Sequence, residues 1–159
     1  MEFPERVYTK REVESARKAI ESGYKHRLRI KGSLEFKENV RKALKLVKTA
    51  KKYDFLRTYI KQIVEIDGLS QLREADAAIW ANKYAVEDPV DAAGFFVQKA
   101  YQMKEYIEGK LYYGGEAEER AIQMRIEFLE TLKNRTRDAE VKRKCEELIK
   151  EWNESSIFI

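Results

Sequence analysis

The sequence predicts an α+β fold, mainly helical, in which a small twisted sheet packs on two or three long helices with a further helix at each end. Three observations predict it. Apolar residues recur at helical spacing in several separate stretches. The stretch from Tyr24 to Lys31 alternates with a period of two, and short apolar runs near residues 63–66 and 77–82 are bounded by turn residues. At 159 residues the chain can bury roughly two-thirds of the surface it exposes when unfolded. One domain over 1–159 is therefore expected, with an N-terminal helix in 1–23, a core in 24–133 and a C-terminal helix in 138–155.

Taken in order, Val13, Ala16, Ala19 and Ile20 mark a short amphipathic helix that Gly23 ends. Tyr24, His26, Leu28 and Ile30 then alternate with Lys25, Arg27, Arg29 and Lys31, which predicts a strand with one basic face. Gly32 breaks it, Ser33 caps the next helix, and Phe36, Val40, Ala43, Leu44 and Val47 form its apolar stripe. Residues 53–67 read as a helix followed by a short strand from Ile63 to Ile66. The polar segment Gly68 to Asp76 reads as a loop, and Ala77 to Asn82 as another short strand.

Asp88-Pro89 is a helix start, because Asp88 can accept from free amides and Pro89 stands where no amide donor is needed. The helix it opens runs to about Glu108 and is apolar over most of its circumference, so it is expected at the centre. A Tyr- and Gly-rich loop precedes a helix from Glu116 to about Lys133. Asp138 caps the last helix, with Val141, Cys145, Leu148, Ile149 and Trp152 on one stripe. The apolar tail Ile157-Phe158-Ile159 is expected either to dock or to fray.

Composition narrows the function classes. No apolar run of about 18 residues exists, and Met1 to Arg6 lacks a hydrophobic signal core, so a cytoplasmic location is expected. A single cysteine excludes an internal disulfide. The charged share, 38%, is high and fits a thermophilic source. Residues 1–61 hold 18 Lys and Arg against 8 Asp and Glu, whereas the remainder holds 14 against 20. That asymmetry either marks a surface for an anionic partner or lets the two halves attract each other.

The order of parts carries a resemblance. A strand ending in Gly-Ser, a long helix, short strands, a Pro-started central helix, a Gly-rich turn and a Glu-Ala-Glu helix together resemble the small zincin-like metallopeptidase domains, over roughly residues 26–132. In that family the central helix carries His-Glu-x-x-His, whose histidines at i and i+4 bind zinc while the glutamate activates water. The segment Phe95 to Tyr106 is similar to that helix. Carried across, the first histidine falls on Gln98, the glutamate on Lys99 and the second histidine on Gln102. All three depart from the motif, and a chain with one histidine and one cysteine holds no replacement set. The family's third ligand, a glutamate on the following helix, corresponds to Glu116, Glu118 or Glu119.

What the resemblance implies is a noncatalytic zincin-like domain without metal or cofactor, a pseudoenzyme kept as a protein- or peptide-binding scaffold with a cleft around Gln98, Gln102 and Tyr101. Two alternatives stand beside it. One is a nucleic-acid-binding protein whose cations Lys25, Arg27, Arg29 and Lys31 track phosphates; the plain reading of the same residues is an edge strand protected from aggregation. The other is an all-helical assembly subunit. His26, on the apolar side of its strand, reads as a core or boundary histidine, and Cys145 as a small hydrophobe.

Overall fold

The computed structural model describes residues 2–156. In chain order the elements are α1 (Lys10–Glu21), β1 (Arg29–Lys31), α2 (Leu34–Thr49), α3 (Tyr53–Tyr59), β2 (Gln62–Ile66), β3 (Gln71–Arg73), β4 (Ala78–Asn82), α4 (Pro89–Ile107), α5 (Gly115–Arg135) and α6 (Ala139–Ser156). Single 3₁₀ turns cover Glu74–Asp76 and Lys83–Val86. The α+β class predicted from periodicity is the one observed. The sheet rules out the all-helical alternative. The tail Ile157-Phe158-Ile159 lies outside the described residues.

The helix starts follow local chemistry. Thr9 Oγ1 accepts from Glu12 N (3.2 Å) while the Glu12 carboxylate accepts from Thr9 N (2.9 Å), a reciprocal cap for α1. Ser33 Oγ accepts from Phe36 N at α2, and Asp88 Oδ1 accepts from Val90 N and Asp91 N at α4. Asp138 does the same for α6, accepting from Glu140 N and Val141 N.

The sheet has the order β1-β2-β4-β3. β1, β2 and β4 are parallel, in the register Ile30↔Ile63 and Ile63↔Ile79, and β3 runs antiparallel on β4 with Leu72 opposite Ile79. Two segments differ from the sequence expectation. The strand expected from Tyr24 keeps only its last three residues in the ladder, since β2 begins at Gln62 and leaves the earlier ones without a full partner; His26 N still donates to Arg57 O. The expected loop 68–76 contains β3, which makes the outer edge of the sheet.

Gly32 shows why the turn from β1 into α2 takes no side chain: a Cβ there would lie 2.7 Å from Phe36 Cδ1 and 2.8 Å from Glu65 Cβ. The close approach lets Ser33 N reach Glu65 Oε1 (2.8 Å).

One apolar cluster runs from Val7 to Leu148. It joins Phe36, Val40 and Val47 of α2, Ile63 and Ile79 of the sheet, Phe96, Val97 and Met103 of α4, Phe128 and Leu132 of α5 and Cys145 of α6. The helices cover one face of the sheet, where Ile63, Leu72, Ile79 and Ala81 are buried. On the opposite face Val64, Ile66 and Trp80 are only half-buried and stand outside that cluster. Among the described residues no helix is long and apolar enough to cross a membrane.

Candidate functional site

α4 is central because it is apolar on most sides, and the few polar residues it carries are consequently held against neighbours. Gln98, Lys99 and Gln102 occupy one turn of it. Lys99 Nζ donates to Gln102 Oε1 (3.0 Å), and Gln102 Nε2 donates to the Tyr112 carbonyl at 3.4 Å. The Tyr112 hydroxyl donates to Glu74 Oε2 at 2.5 Å. A chain of polar contacts thus joins α4, the α4–α5 loop and the turn that follows β3.

Gln98 faces the other way, toward α5. Its Oε1 accepts from Arg125 Nη1 (2.7 Å), and Arg125 Nη2 is paired with Asp91 Oδ1 (2.7 Å). The guanidinium lies over the Trp152 ring of α6, 4.4 Å from its centroid. Arg125 is buried, and it passes α4 where Gly94 has no side chain; a Cβ at Gly94 would come within 3.3 Å of Arg125 Nε. The position onto which the resemblance carries the family's first histidine is therefore an amide bound to a cation.

The charges around Lys99 have identifiable origins. Burial lowers its pKa, the Arg125 charge lowers it further, and Glu118 and Glu74 act in the opposite sense. No carboxylate pairs with Lys99 within 4 Å among the described residues; its ammonium leans on an amide oxygen and lies 5.6 Å from the Phe95 ring centroid. Burial, and then the bond to Glu74, raise the pKa of Tyr112, so the hydroxyl stays protonated as a donor.

The residues singled out from sequence fall into three places. Gln98, Lys99 and Gln102 share a turn, and of the three glutamates it is Glu118 whose charge acts on Lys99. Glu116 and Glu119 instead line a separate open depression with Tyr101, Arg120 and Gln123. Lys25, Arg27, Arg29 and Lys31 are all exposed, far along the sheet at its β1 edge. Among the described residues no three of His, Cys, Asp and Glu cluster closely enough to hold a metal ion.

Several members of the site escaped the sequence reading: Glu74, Asp91, Tyr112 and Arg125, together with Glu105, a buried carboxylate on α4 paired with Arg120 at 2.9 Å. Their partners lie 15 to 38 residues away in the chain. The one signal available was Gly94, a glycine inside a helical pattern, which marks close approach by a neighbour. No family model, characterised protein or solved structure matches this chain.

Proposed function

We propose that this is a noncatalytic domain of zincin-like architecture that binds an extended peptide or protein segment. The observation that carries the reading is the arrangement around α4. A mixed sheet with a short antiparallel edge strand packs beside the helix; on the turn of interest Gln98 meets Arg125 of α5, Lys99 and Gln102 meet the α4–α5 loop at Tyr112, and the Glu118 charge acts on Lys99. At each of the three positions of the central-helix motif, where a zincin has two histidines and a glutamate, the side chain here is an amide or a cation. Amides are weak zinc donors, and Arg125 and Lys99 place positive charge where a metal would add more.

The remaining chemistry suits recognition. β3 pairs with β4 alone, and so presents a strand edge to which a peptide can add through main-chain bonds. Glu74 and Tyr112 stand at its end, with Lys99 and Gln102 behind them. A peptide laid along β3 meets these groups in turn.

Two measurements test this. The protein as purified is expected to hold no stoichiometric zinc and to cleave no peptide library, and captured peptides are expected to protect the β3 amides from hydrogen exchange. The second concerns the architecture. Because Arg125 sits on Gln98, the restoring variant is Gln98→His, Lys99→Glu, Gln102→His with Arg125→Met, which is expected to bind zinc at one per chain and to lose it on Glu118→Gln. A folded variant that binds no zinc overturns the zincin-like reading. Wild-type protein with bound zinc and peptidase activity overturns the noncatalytic one.

A further inference from the structure

The sheet has a second face that the site on α4 does not use. Strand alternation and the observed register define its rows: Arg29, Gln62, Ala78 and Arg73 in one, Lys31, Val64, Trp80 and Gln71 in the next, and Ile66 with Asn82 beyond. Arg29, Lys31 and Gln71 are exposed and Val64, Ile66, Trp80 and Arg73 are half-buried; only Ala78, a single methyl, is buried. Arg27 and Lys25 continue the exposed set ahead of β1. No carboxylate occurs in these rows. The one acidic residue of the three parallel strands, Glu65, lies on the helix side and is bound to Ser33 N.

The cations of this face are uncompensated. Among the described residues, Lys25, Arg27, Arg29, Lys31 and Arg73 have no ion pair within 4 Å, and no ion pair joins residues 2–61 to residues 62–156. Direct pairing between the basic and acidic halves therefore does not account for the charge asymmetry. Trp80 adds a flat apolar ring near the middle of the face, with the Arg73 guanidinium stacked 4.2 Å from its centroid.

We propose that this open sheet face binds single-stranded nucleic acid, with the sugar–phosphate backbone along the β1 cations and an unstacked base on the Trp80–Arg73 platform. Charge selects the partner: a second copy would bring the same cations face to face, whereas a polyanion releases its counterions on contact. Geometry selects the strandedness. Arg29 and Lys31 stand about 7 Å apart along β1, and Trp80 is two strands inward, about 10 Å from Lys31. A base stacked within a duplex cannot turn onto that ring, but a single strand can place one there while its phosphates stay at the edge. Stacking on an aromatic ring or a guanidinium plane is the ordinary mode of single-strand recognition.

The test is fluorescence anisotropy of labelled oligo(dT) and oligo(U) of about 12 nucleotides, against a duplex of the same length and polyglutamate. Both single strands are expected to bind. Affinity should fall with salt between about 50 and 200 mM, with a log–log slope of about −0.7 for each cation engaged. Arg29→Gln with Lys31→Gln should weaken binding about 10-fold or more and remove about 1.4 from the magnitude of the slope. Trp80→Ala should cost about 10-fold while Trp80→Phe retains most of the affinity.

Trp80 lies outside the apolar cluster, so both its variants are expected to keep the wild-type circular dichroism. Lys150→Gln, which removes an exposed cation of α6, should leave binding unchanged. Absence of binding at low salt, tighter binding of duplex, indifference to Trp80→Ala, or equal retention of polyglutamate with the same response to the variants would each overturn the proposal; the last would make the partner an acidic protein.

Discussion

His26 is the chain's one imidazole, and its surroundings fix its charge. It is 2% exposed, its Nε2 has no hydrogen-bond partner, and the rings of Phe3 and Tyr24 meet it edge-on at 4.4 and 5.0 Å. Burial, followed by the charge of Lys61, pushes its pKa down to about 4 from an ordinary 6.5. The folded state therefore holds a neutral ring where the unfolded chain would take up a proton. Stability contributed by this group is complete above pH 6.5 and is lost as pH falls toward 4, an effect of order 3 kcal/mol. Urea unfolding at pH 7.5 and 4.5 is expected to show this loss in the wild type and a smaller one in His26→Phe. Equal losses would mean that His26 is not the group titrating. Cys145 follows the same physics with no site attached: it is fully buried, and burial raises its thiol to about 11, so it packs as a small hydrophobe.

At the scale of elements, the contact between α4 and α5 turns on an absence. Glycine inside a helix costs about 1 kcal/mol relative to alanine, yet Gly94 sits in the second turn of the most buried helix. Arg125 explains it. The guanidinium crosses α4 at that point and is pinned by Gln98, Asp91 and Trp152, so it has little room to give way. Gly94→Ala alone is expected to destabilise by about 1 kcal/mol, and in an Arg125→Ala background to stabilise by up to about 1 kcal/mol. The resulting coupling of about 2 kcal/mol is measurable as a double-mutant cycle in urea. Additive effects would show that Arg125 does not set the identity of residue 94.

Capping residues and 3.6-residue spacing located α1, α2, α4, α5 and α6 closely, because those signals are local. The spacing of Gln98 and Gln102 put both on one turn for the same reason. β3 was hidden: three residues with one apolar side chain carry no period, and only its pairing with β4 makes it a strand. The partners of Gln98 and Gln102 were hidden too, since Arg125 and Tyr112 reach them through tertiary packing. The basic alternation of residues 25–31 was visible, but its junction with Trp80 and Arg73 depends on the strand order β1-β2-β4-β3, which one sequence does not reveal.

For the whole molecule the question is whether α6 and the sheet belong to one cooperative unit. α6 contributes Cys145 and Leu148 to the same cluster that contains Ile63 and Ile79, while Lys144 reaches Asp88 at the start of α4 (3.0 Å) and Trp152 covers Arg125. Detaching α6 would return its own buried Cys145 and Leu148 to water, at a cost of roughly 1.5–3 kcal/mol for the leucine side chain, and would uncover the face of α5 against which it packs. Local detachment of α6 is thus expensive compared with the total stability of about 5–15 kcal/mol usual for a domain. The two tryptophans report on opposite parts, Trp80 on the open sheet face and Trp152 on α6. Single-tryptophan proteins made by Trp152→Phe and Trp80→Phe should each show one transition in urea, with fluorescence and far-UV circular dichroism coincident within each variant. An earlier fluorescence transition in the protein that retains only Trp152 would instead show α6 leaving first, with the Arg125 pocket and its Gln98 contact opening before the sheet.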